Sequence, residues 1–240
     1  MADKLGLVIP TLNEGANIGA LLDRVRLNLE GAQIGYELLV VDDNSTDGTG
    51  AVVQEYSRSD PRIRLLLRLG SRGLAGAVIH GWDHTDANLL GVIDADLQHP
   101  PALLPALLAA IQQGKDIAIA SRYSAGNGTT GWNPLRRAVS LASTWITLPL
   151  QKASIRVSDP LSGFFIMRRA VIAGVHLQPE GFKLLLEILV RGNIRSAAEI
   201  PYHFGQRFSG KSKANLRVGL DYLVLLWRLF RTAFVKSGPS

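Results

Sequence analysis

The chain has no cysteine, which excludes disulfides, thiolate metal sites and a cysteine nucleophile, and it needs no oxidising compartment. Long apolar runs are also missing. A membrane span needs about 20 apolar residues, but the longest uncharged stretch, 97–114, carries three prolines, three glutamines and a histidine. The first residues, Met1-Ala2-Asp3-Lys4, run straight into a strand-like segment, so neither a signal peptide nor a span is expected. No Gly-x-Ser-x-Gly elbow occurs, which argues against a serine hydrolase. The dinucleotide fingerprint is absent after the first strand, where Pro10-Thr11-Leu12-Asn13-Glu14 stands instead. The Gly70, Gly73, Gly76 series has other spacing and reads as a loop with a tight helix start. The histidines show no metal-ligand spacing; His99 alone lies near an acidic cluster and reads as a surface or turn residue.

Acid is in deficit. Lys and Arg number 26 against 20 Asp and Glu, a net charge of +6, so an anionic partner is expected. Nucleic acid is disfavoured, because the basic residues are not interleaved with aromatics along one stripe and no nucleic-acid motif occurs. At 240 residues, one α/β domain with a full core is expected.

Strand-like and helix-like segments alternate over the first 120 residues, which predicts a parallel, doubly wound sheet with helices on both faces. Strands are expected at 5–9, 37–41, 62–67, 89–93 and 117–120. A first helix, capped by Asn13 or Asn17, would carry Leu21, Leu22, Val25 and Leu29 on one side. The second half is less regular, with helices expected at 133–150 and 181–191, a strand at 198–204, and a long amphipathic helix from Lys213. A catalytic domain over 1–212 and a C-terminal helix over 213–240 follow. Ligands bind outside the carboxyl ends of strands in such sheets, where Thr11 to Glu14, Asp42 to Thr49, Asp94 to Gln98 and Ser121-Arg122-Tyr123 all fall.

The most informative stretch is Asp94-Ala95-Asp96-Leu97-Gln98-His99-Pro100-Pro101. A buried-strand run ends in two carboxylates one residue apart, then an amide and a Pro-Pro that stops the ladder. On an extended segment Asp94, Asp96 and Gln98 would share one face. Three hard oxygen ligands there suit Mg²⁺ or Mn²⁺, which leave positions for substrate phosphates. The literal Walker A pattern Gly205-Gln206-Arg207-Phe208-Ser209-Gly210-Lys211-Ser212 has no room after it for the acid-bearing strand of a P-loop. It reads instead as a basic loop suited to wrapping a diphosphate.

Several motifs occur in one order: Pro10 to Glu14, Val41 to Thr49, Asp94 to Pro101, Ser121 to Tyr123, Asp159-Pro160-Leu161-Ser162-Gly163-Phe164-Phe165 and Gln206 to Lys213. Together they resemble the polyprenol-phosphate (dolichol-phosphate) mannose synthases, inverting glycosyltransferases of GT-A fold, over residues 5 to 230. The resemblance implies that Glu14 and Asp43 hold the nucleoside, with Pro10, Leu12 and Val41 lining the base. It places Asp94, Ala95, Asp96 and Gln98 on the metal and sugar-nucleotide diphosphate, Arg122, Arg136 and Ser140 on the lipid phosphate, and Arg207 and Lys213 over the nucleotide. Leu12 stands where the family usually has an aromatic, and Lys211 where an acid is common.

The chemistry is consistent. Asp94, Asp96 and Arg207 would carry catalysis by neutralising the leaving diphosphate. The acceptor phosphate is already largely ionised, with a second pKa of about 6, so no base is required. The expected function is transfer of mannose from GDP-mannose to polyprenyl phosphate with inversion. UDP-glucose is the alternative donor, and a basic nucleic-acid-binding module the alternative of another class. The helices at 133–150 and 213–235 would rest on the membrane surface, peripherally on its cytoplasmic face.

Overall fold

In the computed structural model, residues 3–32, 34–70, 72–124, 144–152, 155–178, 183–203, 224, 226 and 228–230 are described. Seven strands form one sheet in the order β3-β2-β1-β4-β6-β5-β7. These are β1 (Lys4–Thr11), β2 (Gly35–Asp42), β3 (Ile63–Leu67), β4 (Leu89–Val92), β5 (Ile117–Ser121), β6 (Phe165–Arg168) and β7 (Ala197–Pro201). Strand β6 runs antiparallel to both neighbours; every other pairing is parallel.

Helices cover both faces because each long strand is apolar on both. In β1, Leu5, Leu7 and Ile9 join one core and Val8 the other; in β2, Leu38 and Val40 separate likewise from Leu39 and Val41. The first core is closed by α1 (Gly15–Glu30), α2 (Thr49–Ser59) and α4 (Leu104–Gln112), the second by α3 (Leu74–Asp83) and α5 (Leu184–Arg191). On α1, Ile18, Leu21, Leu22, Val25 and Leu29 are buried at helical spacing, each worth about 1.5–3 kcal/mol of burial. Helix α3 lies so close to the sheet that a Cβ on Gly81 would sit 2.6 Å from Val8 Cγ2.

Three expectations change. Neither asparagine caps α1: Glu14 is the N-cap and its own side chain makes no capping hydrogen bond. Asn13 takes a left-handed φ of 56° and its side-chain oxygen accepts from Thr46 N–H. Asn17 lies in the first turn, donating to Glu14. Residues 94–98 are not extended; β4 stops at Val92, and a turn with Leu97 at φ 60° follows. Strand β6 has no counterpart in the sequence reading.

Helix 133–150 is described only over 144–150, where it is helical. Arg136, Ser140, Arg207, Lys213, the 205–212 loop and most of the C-terminal helix lie outside the described residues.

Candidate active site

The loops after β1 and β2 are stapled together. Thr11 donates to Asp42 (2.8 Å), Asn13 N–H to Ser45 Oγ (2.7 Å) and Gly15 N–H to Asp47 (2.8 Å). Asn13 and Asn44 sit at φ 56° and 60°, and Leu97 after β4 at 60°. These are the three non-glycine residues with positive φ among those described, and all three lie past strand ends at the carboxyl edge. Left-handed backbone disfavours most side chains and clusters at functional sites.

Asp43, just beyond β2, is almost enclosed. One carboxylate oxygen accepts from Arg68 Nη1 (2.7 Å), the other from Gly73 N–H (2.8 Å). Burial pushes its pKa up, although the Gly73 bond and the charges of Arg68 and Arg72 oppose that. With Asn44, Arg68, Gly70 and Arg72 it lines an open cleft of about 410 Å³. Pro10 pairs with Val41 in the β1–β2 register. Val41 itself is fully buried in the second core and offers the cleft no surface. Leu12 is half-buried, and Glu14 accepts from Asn17 Nδ2.

Asp94 and Asp96 follow the central strand β4. A turn, not an extended face, gathers this segment: Gln98 N–H donates to Asp96 at 3.1 Å, and Ala95 is buried beneath. Enclosure, and then the charge of Asp96, push the Asp94 carboxyl up to about 7. Two acids that resist joint ionisation are relieved by a cation between them. Among the described residues no three His, Asp or Glu side chains gather as a metal cage. Two carboxylates with an amide nevertheless suit a Mg²⁺-type ion that takes its other ligands from phosphates.

His99, expected at the surface, is buried. Its ring stacks edge-on against Phe164 (5.9 Å) and beside Tyr202 (5.7 Å). Burial lowers its pKa to about 3, so the ring that brings Nδ1 to 3.6 Å from Asp94 Oδ2 is neutral. It walls the carboxylate with aromatic surface.

The reversed strand β6 completes the site. Its first residue, Phe165, pairs with Val92 at the end of β4, so the preceding loop arrives beside Asp94. A Cβ on Gly163 would collide with Asp94 Oδ2, so any larger residue there must push that carboxylate aside. Gly163→Ala is therefore expected to displace Asp94 and lower kcat/KM about 100-fold, the scale of a 1 Å misplacement, while the fold persists by circular dichroism. Activity within threefold of wild type would show that Asp94 tolerates the shift.

In the same loop Asp159 is fully buried. It takes Arg122 in two bonds of 2.7 Å, from Nε and Nη2, and the Arg122 N–H at 3.0 Å. Burial lowers the Arg122 pKa, and the bonds and charge of Asp159 more than restore it. Ser158 and Asp159 are anchored in turn by Glu199 of β7. Lys183, the N-cap of α5, lies within the fields of Arg122, Asp94 and Asp159, and burial followed by Arg122 holds its pKa down. Arg68, Arg72, Asp159, Gly163 and Lys183 were given no role from sequence; only Asp159 and Gly163 lay in a motif.

A Rossmann-like sheet with one reversed strand, a nucleoside-sized cleft after β2 and paired carboxylates after β4 define the GT-A class of glycosyltransferase fold. Glucosyl-3-phosphoglycerate synthase from Mycobacterium tuberculosis, solved with Mn²⁺, uridine diphosphate and glucosyl-3-phosphoglycerate, shares this fold. Its TM-score is 0.68 at 17% identity, over 97% of this chain and 80% of that one. The family model of glycosyl transferase family 2 matches residues 7–175, and the chain belongs to that family. A dolichol-phosphate mannosyltransferase from Pyrococcus furiosus is 39% identical over 95% of this chain, which spans 64% of that protein's length. One from Mycosarcoma maydis is 32% identical over 95% of this chain and 79% of its own. The resemblance read from the motifs is thus borne out across nearly the whole chain.

Proposed function

We propose that this protein transfers mannose from GDP-mannose to a polyprenyl phosphate, with inversion and with Mg²⁺ or Mn²⁺ as cofactor. The observation that carries the reading is the pairing of the Asp43 cleft with Asp94 and Asp96 along one sheet edge. Relatives named dolichol-phosphate mannosyltransferase, at 39% and 32% identity, support the sugar and the acceptor. The cleft suits guanine. Asp43 retains acceptor capacity for the N1 and N2 protons, and Arg72 beside it offers donors to O6 and N7. Uracil, with one ring N–H between two carbonyls, uses such a pair less fully.

Asp94, Asp96 and Gln98 would hold the metal, which when bound neutralises charge on the departing diphosphate. Arg207 and Lys213 would close over that diphosphate. Arg122, Arg136 and Ser140 would orient the acceptor phosphate, with Arg122 aimed by Asp159. Since the phosphate arrives ionised, the chain need only align it with the anomeric carbon and exclude water. The test is incubation with GDP-mannose or UDP-glucose, Mn²⁺ and farnesyl phosphate. GDP release with a mannosylated lipid product is expected. UDP release from UDP-glucose alone, or no transfer from either donor, would refute the reading.

We further place the protein peripherally on the cytoplasmic face of a membrane. No helix among the described residues is long and apolar enough to cross one. On the 144–150 helix, Trp145 is 72% and Ile146 48% exposed, while Leu150 packs on Leu186, Leu226 and Leu229. An outward Trp–Ile pair beside a packed apolar cluster fits an interfacial anchor. Removing both side chains (Trp145→Ala with Ile146→Ala) is expected to weaken binding to anionic vesicles about tenfold or more, with turnover of soluble farnesyl phosphate retained. Equal flotation of wild type and variant would remove this pair from the membrane contact.

A further inference from the structure

We propose that Lys183 is a phosphate-binding residue of this site, its ammonium reserved for a substrate phosphate held between Asp94 and Arg122. The proposal rests on the transferase reading above and adds to it a residue with no motif of its own.

Placement comes first. Strand β7 is parallel to β5, so α5, which leads into β7, begins at the carboxyl edge of the sheet. Its N-cap, Lys183, is therefore delivered to the edge that carries Asp94 and the Arg122–Asp159 pair, and those three charges act on it.

The surroundings hold a cation poorly. Lys183 is largely covered, and among the described residues its side chain makes no hydrogen bond and no ion pair. The helix N-terminus it caps carries partial positive charge and disfavours a cation. Arg122 is a second like charge nearby. Of the acids in range, Asp159 is already engaged by both Arg122 bonds, and Asp94 shares its site with Asp96. Once a divalent ion is bound between those carboxylates, Asp94 offers Lys183 little. A lysine placed against its own helix, against a neighbouring arginine and against burial contributes nothing evident to stability. Violations of this kind mark function.

An anion satisfies every term at once. A phosphate oxygen is a strong acceptor with a full or partial charge, and an ammonium is the compact point charge commonly used to meet one. Arg122 would supply the directional bonds and Lys183 the charge. On the transferase reading two phosphates would come near this position, that of the lipid acceptor and the donor diphosphate, and the experiment separates them.

Lys183→Met keeps the apolar stem and removes the charge. In assays with Mn²⁺, GDP-mannose and farnesyl phosphate, its KM for farnesyl phosphate is expected to rise about tenfold or more, the scale of one charged hydrogen bond. Calorimetric GDP affinity within twofold of wild type assigns the lysine to the acceptor; a tenfold loss assigns it to the donor diphosphate. The Tm of the ligand-free variant should match or exceed that of wild type, because an unfavourably placed cation has gone. KM and GDP affinity both unchanged would overturn the proposal. So would a ligand-free Tm several degrees lower, which marks a structural cation. If wild type transfers no mannose at all, the functional reading fails on its own. Lys183 is then judged by GDP affinity and by the Tm shift that farnesyl phosphate induces, and loss of either in Lys183→Met sustains it while retention of both refutes it.

Discussion

Asp96→Ala is expected to abolish transfer, lowering kcat by about 1,000-fold or more, and excess chelator should do the same to wild type. On the proposed reading the donor would leave as a diphosphate, and a bound metal would contribute several kcal/mol to stabilising that departing charge, where each 1.36 kcal/mol is tenfold in rate. Asp94 and Asp96 would offer the ion two carboxylates, without a third His, Asp or Glu gathered beside them among the described residues, so losing one would halve the charged ligand set. Asp96 is half-buried on a turn beyond the end of β4 and accepts from Gln98 N–H, a position outside the sheet that limits the structural damage. The Tm in the absence of metal should therefore stay within a few degrees. Stabilisation by added Mn²⁺, expected in wild type, should vanish. Full turnover by the variant, or by wild type in chelator, would remove the metal from the mechanism.

The largest stability effect is expected at Asp159. Asp159→Ala leaves the Arg122 guanidinium buried without its partner, and breaking a buried pair from one side costs about 3–5 kcal/mol. For a chain of this size that is a Tm drop of roughly 6–20 °C. Removing both charges (Arg122→Met with Asp159→Ala) should recover much of the loss, because no uncompensated charge remains. The double variant should remain inactive, since the group proposed to orient the acceptor phosphate is gone. A single-variant Tm within 2 °C of wild type would mean that water or another group already satisfies Arg122.

Contiguous features were readable from the chain. The run into Asp94 and Asp96 announced a strand end, and Leu21, Leu22, Val25 and Leu29 announced the buried side of α1, because each pattern is complete within a few residues. Long-range partnerships were not. Strand β6 spans four residues, Phe165–Arg168, and exists through pairing with strands far away in sequence. His99 looked like a turn residue because the rings that enclose it come from Phe164 and Tyr202. Arg68 lies 25 positions from Asp43 and carries no motif. Asn13 and Asn17 were read as caps by residue type alone. Backbone stapling to the β2 loop decided otherwise, drawing Asn13 into left-handed geometry.

The reversed strand β6 also divides the sheet into two parts. On the reading proposed above, the Asp43 cleft and the paired carboxylates lie between β1 and the turn after β4, and Arg207 and Lys213 would join them from later in the chain. The proposed acceptor side would instead draw on Arg122 and the Asp159 loop, brought together by a strand entering from the opposite direction. Two such halves meet along the β4–β6 seam and can change at different rates. A lineage could retain its nucleotide-sugar chemistry while exchanging the far loops, and so acquire a new recipient for the same sugar.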